Sequence, residues 1–171
     1  EFEQIDTVTN EAYLDMIRQK TAVLLGFSLQ AGAILGGASK EAGKKLYDLG
    51  ISIGLGFQLM DDYLDSFGET AKVGKRIGGD ILEKKKTYLW NEMWSRLNDE
   101  EKNNVLASYS SETSAIAYVK ETMDNSGAKD YTLKLAQEYT DLSLNRLQHF
   151  NTSGDKSYLE EIVHMLAGRE S

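Results

Sequence analysis

Apolar residues recur at helical spacing over most of the chain, and no stretch of any length alternates apolar and polar residues with a period of two. Because the helix repeats every 3.6 residues, apolar positions three and four residues apart indicate helices with one packed face. The pattern predicts helices at about residues 10–36, 40–67, 81–97, 99–109, 111–125, 128–150 and 156–167. We therefore expect an all-α fold, with residues 1–171 forming a single all-helical domain.

Residues that begin and end helices lie between these stretches. Asn98 to Glu101 matches the capping box, in which two side chains satisfy each other's backbone N–H groups at a helix start. Either Thr9 or Asn10 can cap the first helix, since both side chains carry an oxygen that accepts a backbone N–H. Gly127 is placed to end the helix that precedes it.

The second predicted helix carries a polar face near its end. Gln58, Asp61, Asp62 and Asp65 stand at positions i, i+3, i+4 and i+7, which is one side of a helix. Asp61 and Asp65 are one turn apart, so both can reach a common divalent ion. Like charges at this spacing cost an isolated helix roughly 0.2–0.5 kcal/mol per pair. Oxygen ligands in this arrangement suit Mg²⁺, which proteins usually hold with one or two carboxylates and substrate phosphates.

Two features of this helix leave alternatives open. Acidic residues outnumber basic ones by 27 to 19, so the aspartates are also compatible with an ordinary solvated face. We expect Gly50, Gly54 and Gly56 to lie on one side of the helix, although each glycine costs about 1 kcal/mol relative to alanine. They indicate either close packing beside a site or a tight helix crossing.

Composition narrows the class of protein. The net charge of −8 argues against nonspecific nucleic-acid binding, which needs a basic surface. The absence of Cys excludes disulfides and thiolate metal sites, as expected for a cytoplasmic protein. The most apolar run, residues 22–38, is interrupted by polar residues and glycines and falls short of the roughly 20 residues of a membrane span. No membrane span is therefore predicted.

A basic, glycine-rich stretch follows the aspartates. Gly74, Gly78 and Gly79 lie in it, and its cations fall within a short interval of an otherwise acidic chain: Lys75, Arg76, Lys84, Lys85 and Lys86. A Gly-rich turn lets a Lys and backbone N–H groups approach an anion closely, and ammonium groups bind phosphate as point charges. Carboxylates and lysines near one polyanion indicate diphosphate chemistry, with metals bridging the carboxylates to the phosphates.

Three motifs in order carry a family resemblance. Residues 54–65 read Gly-Leu-Gly-Phe-Gln-Leu-Met-Asp-Asp-Tyr-Leu-Asp, residues 74–80 read Gly-Lys-Arg-Ile-Gly-Gly-Asp, and Lys85 and Thr87 form Lys-x-Thr. Upstream stands the pair Lys20-Thr21. Together they resemble the second aspartate-rich region of the trans-isoprenyl diphosphate synthases, or polyprenyl synthetases. The resemblance implies an isoprenoid-synthase-type helical bundle, of which this chain is expected to be the C-terminal portion.

The resemblance implies a prenyltransferase that joins isopentenyl diphosphate head to tail to an allylic prenyl diphosphate, giving a linear polyprenyl diphosphate. Mg²⁺ is the implied cofactor, since it assists ionisation of the allylic substrate. Asp61 would ligate it directly, and Asp62 and Asp65 would ligate it or order metal-bound water. Phe57 would lie near the isopentenyl group.

The same resemblance implies roles for the remaining polar residues. Lys20 and Lys75 would bind the allylic diphosphate, with assistance from Lys85. Thr21 and Gln58 would stabilise the developing allylic cation through their side-chain oxygens. Because the charge of the leaving group grows in the transition state, cations placed around it aid the chemical step more than ground-state binding. A homodimer formed through the long helix at residues 10–36 is also implied.

The chain departs from the family pattern in one important respect. Only one Asp-Asp-x-x-Asp motif is present, whereas family members carry a first such motif in their N-terminal half. The chain alone is therefore expected to be incomplete as an enzyme. A non-catalytic regulatory subunit of a heteromeric prenyl synthase is the alternative, and a plain helical bundle with a solvated acidic patch is a further one. Retention of Lys20, Gln58, Asp61, Lys75 and Lys85 favours the enzyme.

Overall fold

The computed structural model of the protein describes residues 8–68, 77–150 and 155–167. Helices fill most of these ranges, and no strand occurs in them, which confirms the predicted all-α fold. The α-helices are α1 (Asn10–Ile17), α2 (Val23–Leu35), α3 (Lys40–Phe67), α4 (Gly79–Leu82), α5 (Tyr88–Arg96), α6 (Asp99–Ala107), α7 (Glu112–Asn125), α8 (Ala128–Gln148) and α9 (Ser157–Ala167). Within the described ranges, no helix combines the length and the apolar character needed to cross a membrane.

Two short helices of other types complete the order of elements. A π-helical segment, Arg18–Ala22, joins α1 to α2, and a 3₁₀ turn, Ser108–Ser110, follows α6. The sequence predicted one uninterrupted α-helix at residues 10–36, so the π segment is a correction. Side-chain periodicity does not reveal such a segment, because it wraps one extra residue into a single turn and leaves the flanking pattern helical.

A second correction concerns the predicted helix at residues 81–97, which is two helices. The chain leaves α4 after Leu82, and Lys84 adopts a left-handed backbone with φ of 51°. The Thr87 side chain then caps α5 by accepting the backbone N–H of Trp90 at 3.2 Å. The apolar spacing continues across the break, whereas the capping hydroxyl of Thr87 marks a new helix start.

Other helix starts agree with the sequence. The Thr9 hydroxyl accepts the backbone N–H of Ala12 at 3.2 Å, which decides between Thr9 and Asn10 as the cap of α1. At α6, the Asn98 side chain accepts the Glu101 N–H at 2.9 Å, and the Glu101 carboxylate accepts the Asn98 N–H at 2.8 Å. The predicted capping box is therefore confirmed.

Replacing Asn98 by Ala is expected to lower the free energy of unfolding by about 1 kcal/mol, because the cap of α6 loses its acceptor. Urea titration followed by circular dichroism measures the change. Asn103→Ala is the matched control, since Asn103 is exposed within the same helix and alanine favours helix there. Equal stabilities of the two variants would contradict the role of the cap.

The fold divides into two compact units. The first contains the described residues within 8–13 and 61–134, and the second contains those within 14–60 and 135–167. The long helix α3 contributes residues 40–60 to the second unit and residues 61–67 to the first. The prediction of a single domain for residues 1–171 stays a prediction.

Each unit has its own apolar core. In the first unit the core joins residues of α4, α5, α6, α7 and the start of α8: Ile81, Leu89, Trp90, Met93, Leu97, Val105, Val119, Met123 and Ala128. In the second unit it joins α3 to α8 and α9: Leu46, Leu49, Ile53, Leu147 and Val163. Within the first unit, the partly buried Phe67 at the end of α3 packs against this core, two residues after Asp65.

The glycines of α3 lie at close crossings inside the second unit. A Cβ atom added to Gly50 would stand 2.6 Å from the backbone of Gly26 in α2, and one added to Gly54 would stand 2.5 Å from Cα of Ala22. One added to Gly56 would approach the side chain of Tyr139 in α8 to 3.2 Å, so Gly56 faces a different helix and the prediction that all three glycines share one side is wrong. Of the two interpretations left open by the sequence, the tight helix crossing is the one observed.

Candidate functional site

Asp62 is anchored by a tyrosine hydroxyl. The Tyr13 hydroxyl of α1 donates a hydrogen bond to Oδ2 of Asp62 in α3. Both side chains are buried, with exposed fractions of 4% each. Burial raises the pKa of Tyr13 well above its ordinary value, and the negative charge of Asp62 raises it further. The hydroxyl is therefore protonated at neutral pH and remains a donor to the carboxylate.

Asp65 is anchored by the end of the glycine-rich stretch. Its Oδ2 accepts the backbone N–H of Asp80 at 2.8 Å, and its carbonyl accepts the N–H of Gly78 at 2.6 Å. Gly78 has φ of +86°, a conformation that disfavours residues with a side chain. A sharp turn before α4 therefore aims backbone N–H groups at the carboxyl end of α3.

Asp61 differs from its two neighbours in exposure. Its side chain is half-buried, whereas those of Asp62 and Asp65 are buried at 4% and 5% exposure. In the part of the chain that the structure describes, no three carboxylate, His or Cys side chains are gathered closely enough to enclose a metal ion by themselves. This donor set fits Mg²⁺ in the usual way, in which one or two carboxylates are completed by water and substrate phosphates.

Lys85 is already paired with carboxylates. Its Nζ lies 2.6 Å from Oδ1 of Asp80 and 3.1 Å from Oε2 of Glu83. The hydrogen bond that Lys85 donates to Asp80 is the main reason why the pKa of Lys85 is raised above its ordinary value. Because exposed ion pairs contribute only about 0–1 kcal/mol, exchange of these partners for phosphate oxygens costs little. Lys75, the other lysine of this stretch, lies outside the described residues.

In the second unit, the structure brings together two more of the predicted site residues. The Thr21 hydroxyl donates to Oε1 of Gln58 at 3.1 Å, joining the π-helical segment to α3. Lys20 precedes Thr21 in the same segment and is exposed, and Phe57 is half-buried beside Gln58 on α3. π-Helical turns occur frequently at functional sites, where the extra residue redirects side chains.

Sequence reasoning missed the supporting contacts of the aspartates. Asp80 stood in a recognised motif, but its backbone N–H was given no role, and Tyr13 was not singled out as a site residue. Hydrogen bonds between residues 49 and 15 positions apart depend on the tertiary fold, so local pattern does not reveal them.

Comparison with known proteins identifies the family. The sequence pattern of the family described as Polyprenyl synthetase matches residues 1–125. The chain belongs to the polyprenyl synthetase family. The resemblance carried by the aspartate, glycine-lysine and lysine-threonine motifs is thereby confirmed.

Individual polyprenyl synthetases share both sequence and fold with the chain. The geranylgeranyl pyrophosphate synthase of Geoglobus acetivorans is 36% identical over 169 residues, which cover 99% of this chain and 52% of that protein. The crystal structure of geranylgeranyl pyrophosphate synthetase from Pyrococcus horikoshii superposes with a TM-score of 0.88 at 29% identity, covering 99% of this chain and 52% of that one. The expected isoprenoid-synthase-type bundle is therefore confirmed.

A third polyprenyl synthetase was solved with ligands. The polyprenyl synthase of Caulobacter crescentus, complexed with calcium and isoprenyl diphosphate, matches with a TM-score of 0.86 at 29% identity. The match covers 99% of this chain and 53% of that one. The chain thus spans about half the length of the curated relatives it matches.

Proposed function

We propose that the chain contributes to a trans-prenyltransferase that condenses isopentenyl diphosphate with an allylic prenyl diphosphate to give a linear polyprenyl diphosphate. The observation that carries the proposal is the arrangement at the end of α3, where the half-exposed Asp61 lies on the same helical face as two buried carboxylates, Asp62 and Asp65. Because Asp62 and Asp65 are buried, the half-exposed Asp61 is the most accessible of the three carboxylates to a ligand. Family membership gives this arrangement its chemistry.

The aspartates would hold Mg²⁺. When bound, Mg²⁺ would neutralise charge on the diphosphate as the allylic carbon–oxygen bond breaks. Asp61 would supply the direct ligand, with Asp62 and Asp65 ligating or orienting metal-bound water. The Caulobacter polyprenyl synthase was solved with calcium and isoprenyl diphosphate, which supports the proposal that this chain binds a divalent cation and a prenyl diphosphate.

Other residues of the chain would act on the diphosphate and the cation. Lys20 and Lys75 would bind the allylic diphosphate, and Lys85 would join them after leaving Asp80. The oxygens of the bonded pair Thr21 and Gln58 would stabilise the allylic cation. The double bond of isopentenyl diphosphate then attacks the carbon of the allylic cation that carried the diphosphate, and a new carbon–carbon bond forms. Loss of a proton from the joined product restores a double bond.

The single aspartate-rich motif supplies only part of the metal set that the family chemistry uses. We propose that the other carboxylates come from polypeptide outside these 171 residues. The half-length match to the curated relatives supports this arrangement. A cytoplasmic location, expected from the cysteine-free composition, stays a prediction.

The proposal is tested by assaying the protein at the full length of its gene with labelled isopentenyl diphosphate, Mg²⁺ and allylic diphosphates of increasing chain length. We expect labelled polyprenyl diphosphate and equimolar release of diphosphate, both abolished by EDTA. The regulatory alternative predicts no product from this protein alone and, with a catalytic partner added, product formation that is insensitive to Asp61→Ala. Either of these results would overturn the catalytic proposal.

We further propose a homodimer formed through α2. Three large apolar side chains of this helix are highly exposed, namely Leu24 at 68%, Phe27 at 59% and Leu35 at 89%. Phe27 and Leu24 are three residues apart on one helical face, so their burial against a second copy would remove a continuous apolar strip from water. The family resemblance implies a dimer contact through the predicted helix at residues 10–36, which contains α2.

Light scattering is expected to give the mass of a dimer for the full-length protein, and Phe27→Glu is expected to shift it towards monomer by placing a charge in the contact. Leu106→Glu is the control, because Leu106 is exposed at 48% on α6 of the other unit and is given no contact role. A monomeric wild-type protein, or an equal effect of both substitutions, would count against the interface.

A further inference from the structure

We infer that Tyr13 is a positioning residue that holds Asp62 in the orientation required for metal binding. The inference rests on the proposed function, in which the aspartates of α3 hold Mg²⁺. Tyr13 belongs to none of the motifs that carry the family resemblance, and it contacts neither metal nor diphosphate in this assignment. It acts through Asp62 alone.

The geometry makes the hydroxyl the natural anchor of this carboxylate. A buried carboxylate is stable only when donors replace the water that it has lost. Tyr13 supplies such a donor to Oδ2 of Asp62, and a hydrogen bond to an ionised acceptor is about twice as strong as a neutral one. Tyr13 and Asp62 are each 4% exposed, so water competes little for the bond.

Tyr13 also occupies a fixed position. It lies one turn into α1. The first residue of this helix, Asn10, donates from Nδ2 to Oε2 of Glu92 in α5 at 2.6 Å. Glu92 in turn accepts from Nε of Arg96 at 2.9 Å. Because the Asn10–Glu92 bond ties the start of α1 to α5, and Arg96 holds the Glu92 carboxylate in place, the position of the tyrosine hydroxyl beside α3 is fixed. A rigid donor fixes the rotamer of the carboxylate that it bonds.

The two buried aspartates therefore have different anchors. Asp65 accepts a backbone N–H, which remains when a side chain is shortened, whereas Asp62 accepts from the side chain of Tyr13. Residues that orient metal ligands through hydrogen bonds affect metal affinity by about 10–100-fold when they are replaced. Tyr13→Phe removes only the hydroxyl and keeps the ring in the core, so it isolates this contribution.

The test measures binding of Mn²⁺, used as the spectroscopic substitute for Mg²⁺ because both prefer six oxygen ligands. Free Mn²⁺ is followed by electron paramagnetic resonance in the presence of inorganic diphosphate, with the full-length protein. Tyr13→Phe is expected to raise the dissociation constant of Mn²⁺ by about 10-fold or more. The readout does not depend on turnover.

Tyr109→Phe is the matched control. The Tyr109 hydroxyl also donates to a partner within the first unit, the carbonyl of Ile81, at 2.8 Å, and burial raises the pKa of Tyr109 to about 12. It therefore loses a comparable hydrogen bond that has no carboxylate acceptor. We expect its Mn²⁺ affinity to equal that of the wild type. Equal weakening by the two substitutions would show that a general loss of stability, and not positioning, is responsible.

A double-mutant comparison separates this inference from the proposed function. In the Asp62→Asn background, Tyr13→Phe is expected to cause no further loss of Mn²⁺ affinity. The carboxylate that Tyr13 orients is already absent in that variant. Normal Mn²⁺ binding by Asp61→Ala would overturn the proposed metal site itself. Weak binding by Asp61→Ala together with normal binding by Tyr13→Phe would overturn only the role of Tyr13.

Discussion

Replacing Asp61 by Ala is expected to lower the kcat of prenyl transfer by about 100-fold or more, the scale on which enzymes lose rate when one preorganised electrostatic group is removed. Asp61 is the half-exposed member of the aspartate set, and the buried Asp62 and Asp65 are committed to Tyr13 and to the Asp80 backbone. Neither neighbour can take over its position without breaking these bonds. The loss should therefore appear in kcat rather than in substrate binding alone.

The measurement uses labelled isopentenyl diphosphate with the protein at the full length of its gene, at saturating Mg²⁺. Asp141→Ala is the control, because Asp141 is an exposed aspartate of α8 whose carboxylate accepts from Gln137 one turn earlier. Its turnover should match the wild type. Wild-type turnover in Asp61→Ala would remove the metal role assigned to that residue. By the family resemblance, Lys75→Ala is expected to cause a loss of similar size.

Gly50→Ala is expected to lower the free energy of unfolding by about 2 kcal/mol. The new methyl group would lie 2.6 Å from the backbone of Gly26, and a backbone cannot turn aside as a flexible side chain does. We expect an overpacking cost of about 3 kcal/mol, at the upper end of the usual range, against a gain in helix propensity of about 1 kcal/mol. Gly54→Ala should behave similarly, because its methyl group would meet the backbone of Ala22.

Urea titration of the wild type, Gly50→Ala and Gly54→Ala measures these differences, with Gly32→Ala as the matched control. Gly32 also lies within a helix, but nothing stands within 4 Å of an added Cβ, so this substitution should stabilise the protein by up to about 1 kcal/mol. Gly50→Ala and Gly32→Ala thus make the same chemical change with opposite expected signs. A stabilised Gly50→Ala variant would contradict the close crossing of α2 and α3.

Local information in the sequence was sufficient for much of the fold. The bounds of α3 match the predicted helix at residues 40–67, and the Asn98 capping box lies where it was predicted. Gly127 ends the helix before it with φ of +75°. Each of these features depends on residues within a few positions of one another, which is why pattern and capping chemistry reveal them.

Packing decided the features that pattern did not reveal. Hydrophobicity alone favours burial of Leu133 and Leu142 in α8, but both are exposed, whereas Thr132 and Ser143 are fully buried. The hydroxyls of the two buried residues donate to the backbone carbonyls four residues earlier, each at 2.8 Å. A small side chain that satisfies its own polar group can therefore occupy a close contact for which hydrophobicity favoured leucine.

The candidate site shows the same division. The spacing of Gln58, Asp61, Asp62 and Asp65 defined one helical face, and the pairing of Thr21 with Gln58 brings together two residues that the resemblance had assigned to one task. The difference in exposure between Asp61 and the buried Asp62 and Asp65 was not predictable, because it depends on tertiary packing, including contacts with residues that are distant in sequence. Spacing along a helix indicates which side chains share a face, and tertiary contacts determine which of them remains accessible.

The close approach at Gly50 and Gly54 also limits which second substitutions can restore stability after a glycine is replaced. At Gly50 the opposing residue is Gly26, which has no side chain to shorten, so no smaller residue on the partner helix can compensate for a larger one. At Gly54, an Ala22→Gly change would remove the methyl group at 2.8 Å but leave Cα at 2.5 Å. A suppressor screen starting from either alanine variant should therefore recover true revertants or stabilising changes elsewhere, and none at the facing position.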